Sequence, residues 1–429
     1  MLPMLLWAAC TVAPNEPDRP APSLLLITLD TVRADYLGAY GYPKPTTPAL
    51  DALAADSDRY SRAVSSSPWT LPSHASLLTG LHPSQHGAHS THPDSPQHDA
   101  WALPAEHDTI AEVLSAAGYD TAALVSNVAY LSADYALDQG FSTYDVTARR
   151  GPKLTEAALS WLDGDWDRSK PFLLFLNYMD AHRIYNMAPQ PGWPTPDDTS
   201  PARLNELMKT VMVDQRDDPA LKAAVTRQYE QGVVNADAAV GALLAALERR
   251  GLSDETIVVV TSDHGEYFGE HGLVEHSKDI YQEAVHVPLL VHVPGQTTGR
   301  VVDTVVSSAH LPSLLAPHLP PLAALPTPEA PVSENRYARP RDRTGPYGDR
   351  LNRVRQATWD WPLKAIRSSD GQHELYDLDA DPREMRSLLP EQPMAAPALF
   401  ERLPEPLRRT EAPQALGDEE ALRALGYIE

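Results

Sequence analysis

The chain has 429 residues, a formal net charge of −23 at pH 7 and a single cysteine, Cys10. The acidic balance argues against nucleic acid as a partner, because phosphate binding relies on basic patches, and one cysteine excludes an internal disulfide. A hydrophobic fraction of 42% over this length is sufficient for a large core domain and a smaller second domain.

Residues 1–22 resemble a bacterial lipoprotein signal followed by a Pro-rich tether. The apolar run MLPMLLWAA precedes Cys10, and the polar run TVAPNEPDRPAP follows it. We expect an exported protein, either periplasmic or anchored to the membrane through a lipid on Cys10. The short apolar run and the lack of Lys or Arg before it leave a truncated or misassigned start as the alternative. No apolar run is long enough to span a bilayer.

The first strand is predicted at Ser23 to Leu29 (SLLLITL), and it ends on Asp30 and Thr31. A short apolar run of this kind indicates a buried parallel strand. In open α/β sheets the carboxyl ends of the strands form the edge where ligands bind. A capped helix is expected within Thr46 to Asp58.

The stretch Ser67 to Gly80 (SPWTLPSHASLLTG) predicts a helix that begins near Thr70. Pro72 suits a first helical turn, and Ser73 can cap it. The Thr70 hydroxyl would then lie at a helix N-terminus, which favours an anionic ester. The alternative is that Thr70 is an ordinary capping residue.

Strands and helices alternate along the rest of the first three quarters of the chain. This pattern favours a doubly wound α/β sheet. The predicted segments are helices at 109–117, 153–162 and 221–250, strands at 121–126, 171–178 and 256–260, a strand pair within 285–293, hairpin strands near 363–367 and 374–378, and a helix near 419–425. The Pro- and Asp-rich residues 188–219 are expected to form a loop or insertion beside the site.

Two predicted strand ends carry the residues of a metal site. Asp30 and Thr31 follow the first strand, and Asp263 and His264 follow the strand at 256–260. Two carboxylates, an imidazole and a hydroxyl can bind one divalent ion. Such an ion would lower the pKa of the Thr70 hydroxyl and polarise an ester. The alternative for each Asp alone is a helix cap.

Other candidates for proton donors and anion binders are His74, His182, His276 and Lys278, with His271 as a further possibility. The histidines of the polar loop after Gly80 are expected to be mostly solvated, with one exception expected at His86. They are His82, His86, His89, His92, His98 and His107.

Several motifs in order resemble the sulfatase family within the alkaline phosphatase superfamily, over nearly everything from Leu24 to the C-terminus. The motifs are LITLDTVRADYLGAYG (26–41), TLPSHASLLTG (70–80), NYMDAHRIY (177–185), TSDHGEYFGEHG (261–272), HSKDIYQEAVHVPLLVHVPG (276–295) and ELYDLDADPRE (374–384).

The resemblance implies a mixed, mostly parallel sheet sandwiched by helices in a catalytic domain at 23–320. It also implies a small C-terminal subdomain at 321–429 that carries an antiparallel sheet. Asp30, Asp263 and His264 would ligate a metal at the carboxyl edge of the large sheet. His182, His276 and Lys278 would surround the substrate anion.

Departures from the family pattern change the expected chemistry. Sulfatases carry the Cys or Ser that becomes formylglycine where Thr70 stands, and Thr is not a substrate for that modification. They carry Arg at the position of His74, most have Asp at Thr31, and many have Asn at His264. At Thr31 a hydroxyl replaces a carboxylate, and at His264 an imidazole replaces an amide. These two substitutions favour manganese or zinc over calcium as the bound metal. Thr70 with these ligands is similar to the phospho-transferring branches of the superfamily.

Three hypotheses follow. The first is a metal-dependent hydrolase or transferase that cleaves a phosphate mono- or diester through a phospho-Thr70 intermediate. The second is a sulfuric ester hydrolase that works without formylglycine. The third is a catalytically silent protein that binds an anionic glycan or lipid head group. The expected substrate is a small-molecule, glycan or lipid-head-group ester.

Overall fold

The computed structural model describes residues 21–90, 100–187, 200, 202–336, 348–392, 395–405 and 414–415. The predicted tether at Cys10, the predicted helix at 419–425 and residues 188–199 of the predicted insertion lie outside the described residues.

The described residues form eleven α-helices. In order they are α1 (Pro48–Ala55), α2 (Thr70–Thr79), α3 (Pro83–His86), α4 (Ile110–Ala116), α5 (Gly151–Ser160), α6 (Ala202–Met208), α7 (Pro219–Arg249), α8 (Gln282–Val285), α9 (Leu311–Leu315), α10 (Gly348–Leu351) and α11 (Ala395–Phe400). Single π-helical turns extend α5 at Trp161–Asp165 and α6 at Lys209–Val213.

The strands are numbered in chain order. They are β1 (Ser23–Leu29), β2 (Asp58–Tyr60), β3 (Ala63–Val64), β4 (Ala100–Trp101), β5 (Asp120–Val125), β6 (Thr143–Val146), β7 (Phe172–Tyr178), β8 (Thr256–Thr261), β9 (Leu289–His292), β10 (Arg300–Val302), β11 (Val306–Ser307), β12 (Val332–Arg336), β13 (Val354–Asp360), β14 (Leu363–Ser368), β15 (Glu374–Asp377) and β16 (Gln414–Ala415).

The central sheet has eight strands in the order β10-β2-β9-β8-β1-β7-β5-β6. β1 lies in its interior and pairs in parallel with both β7 and β8. Only β9 runs antiparallel to its neighbours. Every residue of β1 is buried, which explains why its sequence is a continuous apolar run and not an alternating one.

Alternate residues of β1 enter two different cores. Leu25 and Ile27 pack in a hydrophobic cluster with α1, α5 and α7, whereas Leu24 and Leu26 pack in a second cluster with α2, α4 and α9. The period of two along the strand produces this division. The sheet is therefore covered by helices on both faces, and the predicted α/β class with a mixed, mostly parallel sheet is confirmed.

A second, smaller sheet is built from β12, β13, β14 and β15 in sequential antiparallel order. The hairpin predicted near 363–367 and 374–378 is its β14–β15 pair. Trp359 and Ile366 of this sheet join the hydrophobic cluster that covers one face of the central sheet. The antiparallel C-terminal sheet is confirmed, and the domain boundary between residues 320 and 321 stays a prediction.

Two predictions about local structure were wrong. Residues 285–293 hold the end of helix α8 and a single strand, β9, and not a strand pair. Part of the predicted loop at 188–219 is helical, because α6 and its π-helical turn present Leu204, Leu207 and Val211 to the core at helical spacing.

The prediction of solvated side chains was wrong for His82 and His89 but not for His86, the expected exception, and His92 and His98 lie outside the described residues. His82, His86 and His89 are buried. The ring of His86 is hydrogen-bonded to the Ser76 hydroxyl at 3.0 Å, and the His82 Nε2–H donates to the backbone oxygen of Ala330 at 3.1 Å. A short helix in this segment packs the rings inward, which a polar local composition does not indicate. Among the described residues, no helix is sufficiently long and apolar to cross a membrane.

Burial of His82 predicts a loss of stability in mild acid. Burial lowers the pKa of His82 from its ordinary value of 6.5 to about 4. Between these values the unfolded chain binds a proton that the folded chain does not, so stability falls as pH falls. The single group contributes on the order of 3 kcal/mol over this window.

Chemical unfolding of wild type and His82→Gln from pH 7 to pH 4 measures this contribution. The variant should show a shallower pH dependence, whatever its stability at pH 7. His318, which is exposed, provides the control, and His318→Gln should keep the wild-type slope. Equal slopes for His82→Gln and wild type would contradict the prediction.

Candidate active site

The predicted metal ligands lie at the ends of two neighbouring strands. Asp30 follows β1, and Asp263 and His264 follow β8, with Thr28 of β1 in register with Thr261 of β8. All three side chains are fully buried. Because the strands are parallel and adjacent, their carboxyl ends deliver both carboxylates to the same place.

These three residues have the geometry of a metal site. Their ligand atoms lie within 4.8 Å of one another. Asp30 Oδ1 and Asp263 Oδ2 are buried carboxylate oxygens without a hydrogen-bond partner. The Nδ1–H of His264 donates to the Gly265 backbone oxygen at 2.9 Å, so the neutral ring carries its lone pair on Nε2. Two oxygens and one nitrogen fit a divalent ion such as manganese or zinc.

The electrostatics of the site favour a cation. Burial, together with the nearby Asp263 carboxylate, raises the pKa of Asp30 to about 8. Burial likewise raises the pKa of Asp263 to about 7 and lowers the pKa of His264. The protein alone therefore opposes the charged form of every ligand, and a divalent ion would compensate that cost.

Thr31 helps to orient the ligands. Its backbone N–H donates to Asp263 Oδ1 at 3.1 Å, and its hydroxyl donates to the Asp30 backbone oxygen at 2.7 Å. Its φ of 63° lies in the left-handed region, which is uncommon for a β-branched residue. The conformation turns the chain immediately after Asp30. A direct metal contact from the Thr31 hydroxyl stays a prediction.

Thr70 lies beside this group of ligands. It is the first residue of α2 and is 1% exposed. Its Oγ1 is 3.5 Å from His264 Nε2 and accepts a hydrogen bond from Asn127 Nδ2 at 3.3 Å. The structure therefore brings the predicted nucleophile to the predicted metal ligands, at the N-terminal end of a helix where the dipole favours negative charge.

The predicted cap at Ser73 was wrong. Ser73 lies inside α2, and the helix begins after Trp69 without a side-chain cap. The Ser73 hydroxyl instead donates to the Asp263 backbone oxygen at 2.6 Å, and the Ser65 hydroxyl donates to the same oxygen. The two hydroxyls fasten the start of α2 to the end of β8, because that carbonyl lies beyond the strand ladder and needs donors.

Both ring nitrogens of His74 are used within the protein. Nδ1–H donates to the Thr70 backbone oxygen at 2.9 Å, and Nε2 accepts from the Thr28 hydroxyl at 3.1 Å. Burial lowers the pKa of His74 to about 4. A neutral ring bonded in this way ties α2 to β1. The contacts favour a positioning role over the predicted role of proton donor or anion binder.

Three more predicted residues, His182, His276 and Lys278, form a row of rings and charges next to His264, whereas His271 stacks on Tyr281. The ring of His276 lies 4.7 Å from that of His264, and the ring of His182 lies 5.2 Å from that of His276. Lys278 Nζ donates to the His276 backbone oxygen at 3.3 Å and to Glu275 Oε2 at 3.5 Å. The side chains of this row and those of His264 and Glu275 are buried.

Several residues of the site were not predicted from the sequence. Asn127 Nδ2 donates to Asp30 Oδ2 at 3.0 Å as well as to Thr70. Glu266 Oε1 accepts from His276 Nδ1 at 3.1 Å, and Glu266 Oε2 accepts from the Tyr185 hydroxyl at 2.7 Å. Asn127 follows the end of β5 closely, so the rule that identified Asp30 and Asp263 also applies to it.

The sequence matches known proteins over most of its length. The family model described as Sulfatase matches residues 22–320. The ulvan-active sulfatase of Formosa agariphila is 28% identical over 337 residues, which are 70% of this chain and 62% of that protein. Human arylsulfatase A is 29% identical over 359 residues, 75% of this chain and 66% of that protein. The matched region thus spans less than two thirds of these relatives.

The fold is also found among solved structures. The phosphonate monoester hydrolase of Agrobacterium radiobacter superposes with a TM-score of 0.67 at 20% sequence identity. The superposition covers 91% of this chain and 98% of that one. At this identity the likeness shows a shared fold.

A thermal-shift titration tests whether the three ligands bind a metal. Mn²⁺ or Zn²⁺ added to chelator-treated protein should raise the melting temperature. The expected stabilisation is about 2.7 kcal/mol when free metal is at 100 times its dissociation constant. Asp263→Asn should lose this stabilisation, and at pH 8 without metal the variant should melt above wild type, because it removes a buried negative charge beside Asp30.

Asp180→Asn is the matched control. Asp180 is also buried and also follows a central strand, β7, but it is outside the group of possible ligands. It should keep the metal-dependent rise. A rise that Asp263→Asn retains in full would exclude Asp263 as a ligand.

Proposed function

Because the Sulfatase model matches residues 22–320, the chain belongs to the sulfatase family, and we propose that it cleaves a phosphate ester with Thr70 as the nucleophile. One observation carries the proposal: the Thr70 Oγ1 lies 3.5 Å from Nε2 of a candidate metal ligand, at a helix N-terminus. A hydroxyl in this position is an unmodified nucleophile, as phosphoryl transfer to Thr requires.

The first step forms a bond between Thr70 Oγ1 and phosphorus and breaks the bond from phosphorus to the alcohol oxygen. The Thr70 hydroxyl gives up its proton, and the departing alcohol takes one up. Water, or a second alcohol in a transferase, then attacks phosphorus and regenerates Thr70. A divalent ion held by Asp30, Asp263 and His264 would supply positive charge that stabilises the Thr70 alkoxide and polarises the ester.

The side chains around Thr70 have distinct roles in this reaction. Asn127 orients the Thr70 oxygen through its amide and offers N–H to charge that develops there. Lys278 and His276 lie on one segment beside His264 and provide cationic and N–H groups for the ester oxygens and the leaving alcohol. His182 continues this row of donors. These roles follow from the contacts of the described residues and from the acid–base chemistry of each group.

A sulfuric ester is the second candidate substrate. Two of the relatives, an ulvan-active sulfatase and arylsulfatase A, support it. The structural neighbour, a phosphonate monoester hydrolase, supports cleavage of a phosphorus ester on this fold. Direct attack by Thr70 on a sulfate would leave a threonine sulfate, which lacks the release route of a formylglycine hemiacetal. We therefore prefer the phosphate ester.

We also propose the identity of the metal, the class of substrate and the location of the protein. Manganese or zinc is favoured over calcium, because the site offers an imidazole nitrogen. A glycan or small-molecule ester is the proposed substrate class, consistent with the glycan named in the ulvan-active sulfatase. Export, with or without a lipid on Cys10, remains part of the proposal. The intact set of ligands beside Thr70 supports an active enzyme over the silent binding protein.

Replacing the nucleophile tests the reaction directly. Thr70→Ala should lower kcat/KM on aryl phosphate mono- or diesters with Mn²⁺ or Zn²⁺ by at least roughly 10³-fold, whereas Thr70→Ser should keep substantial activity. Thr79→Ala alters the last residue of the same helix and should remain active. Activity of Thr70→Ala at the wild-type level would exclude Thr70 as the nucleophile.

The identity of the ester needs a second measurement. Acid quenching during turnover should trap label on Thr70 when the substrate carries radioactive phosphorus. A matching aryl sulfate with radioactive sulfur tests the alternative, and isotopes are needed because the two adducts have nearly the same mass. Label from sulfate alone would overturn the phosphate proposal in favour of the second candidate.

Asn127 gives a separate test of the site. Asn127→Ala removes the amide that contacts both Thr70 and Asp30, and kcat should fall by roughly 10²-fold with a smaller change in KM, as for loss of one preorganised donor. Asn127→Asp places a negative charge against both oxygens and should be at least as defective. A variant with Ala that keeps the wild-type kcat would remove Asn127 from the mechanism.

A further inference from the structure

The motif ELYDLDADPRE (374–384) has no part in the site described so far. It begins on β15, in the C-terminal antiparallel sheet. Its first and last residues, Glu374 and Glu384, both contact the segment that follows Lys278. The Tyr281 hydroxyl donates to Glu374 Oε1 at 3.2 Å, and the Gln282 backbone N–H donates to Glu384 Oε2 at 2.6 Å. The motif therefore reaches the catalytic domain at a point next to the site.

Side chains from neighbouring strands of the same sheet hold the two residues that precede these contacts, Asp279 and Ile280. Lys364 of β14 donates to the backbone oxygen of Ile280 at 2.7 Å. Arg353, next to β13, and Arg355, within it, both donate to Asp279 Oδ2 at 3.0 Å. Four consecutive residues, 279–282, are thus held by side chains of the antiparallel sheet and its adjoining motif.

The charged groups of these contacts are buried and paired. Lys364 and Asp279 are fully buried, and Arg355 and Glu384 are at most 2% exposed. Lys364 pairs with Glu384 at 2.6 Å, and Arg355 pairs with Glu374 at 2.7 Å. Buried charges are tolerated only when paired and hydrogen-bonded. Separating either pair would leave an uncompensated buried charge, so the contacts restrict the path of the backbone at 279–282.

The preceding residues of the same segment face the candidate site. The His276 ring lies 4.7 Å from that of His264, Ser277 N–H donates to the Pro68 backbone oxygen at 2.9 Å, and Lys278 follows directly. Pro68 lies two residues before Thr70. The segment is thus joined to the start of α2 at one end and to the antiparallel sheet at the other.

We propose that Arg355, Lys364, Glu374 and Glu384 are positioning residues for His276 and Lys278. They hold 279–282 from the C-terminal sheet and so set where the two preceding side chains meet the substrate ester. Reaction rates are sensitive to displacements of about 1 Å in such groups. The role assigned to His276 and Lys278 rests on the proposed function. The contacts that fix residues 279–282 do not depend on it.

The central variant is Glu384→Ala, which removes the acceptor for the Gln282 N–H and the partner of Lys364. We expect kcat to fall by roughly 10- to 100-fold with a smaller change in KM. The metal-dependent rise in melting temperature should persist, because Asp30, Asp263 and His264 lie outside the held segment. Glu384→Gln retains an acceptor oxygen and should recover part of the loss.

Two further variants make the result specific. Tyr281→Phe removes only the hydroxyl that contacts Glu374, and it tests the proposal if Glu384→Ala does not fold. Glu334→Gln is the matched control, because Glu334 is a buried carboxylate on β12 that contacts Ser84 and Gln356 and makes no hydrogen bond to the held segment. It should leave kcat unchanged, even where it lowers stability.

Hydrogen–deuterium exchange of peptides covering 276–282 gives a readout independent of turnover. Glu384→Ala and Tyr281→Phe should exchange faster there than wild type under native conditions, whereas Glu334→Gln should not. Unchanged exchange in both Glu384→Ala and Tyr281→Phe would overturn the proposal. An equal fall in kcat for Glu334→Gln and Glu384→Ala would overturn it too. A wild-type protein that cleaves no ester would refute the proposed function, and the exchange comparison would still decide the hold on the segment.

Discussion

Two carboxylates, Asp30 and Asp263, are buried side by side at the ends of adjacent parallel strands. This is the constraint on which the rest of the site depends. Two such charges repel each other in a medium of low polarisability, and neither is placed there for the stability of the fold. The surrounding structure therefore shows how the pair is held: Thr31 N–H and His264 N–H both donate to Asp263, and Asn127 donates to Asp30.

Helix α2 connects this pair to the proposed nucleophile, Thr70, through one face. Thr70, Ser73 and His74 stand at positions i, i+3 and i+4, which point the same way from a helix. Ser73 contacts the end of β8 and His74 contacts β1, so the orientation of Thr70 is set by two strands at once. The spacing of Thr, Ser and His in TLPSH thus has a mechanical explanation that does not depend on the identity of the substrate.

The sequence predicted an element correctly where a local residue pattern determines that element. Apolar runs that end on Asp30 and Asp263 predicted strand ends at one sheet edge, and the helix at Thr70 followed from its flanking residues. Contacts made across the fold were not readable in this way. His82 and His89 lie in a polar stretch and are buried against Ala330 and Arg336, which are distant in sequence. Ser73, which has the chemistry of a cap, donates to a distant carbonyl because α2 begins three residues earlier.

The first turn of α2 does not depend on the side chain of its first residue, Thr70. No side-chain cap closes the helix at Trp69, and the fastening to the sheet comes from Ser73 and His74. The scaffold and the side chain of residue 70 are therefore separable, and a different side chain at this position would meet the same candidate ligands from the same direction. A fold arranged like this can accept a substitution at residue 70 without rebuilding the sheet or the helix that presents it.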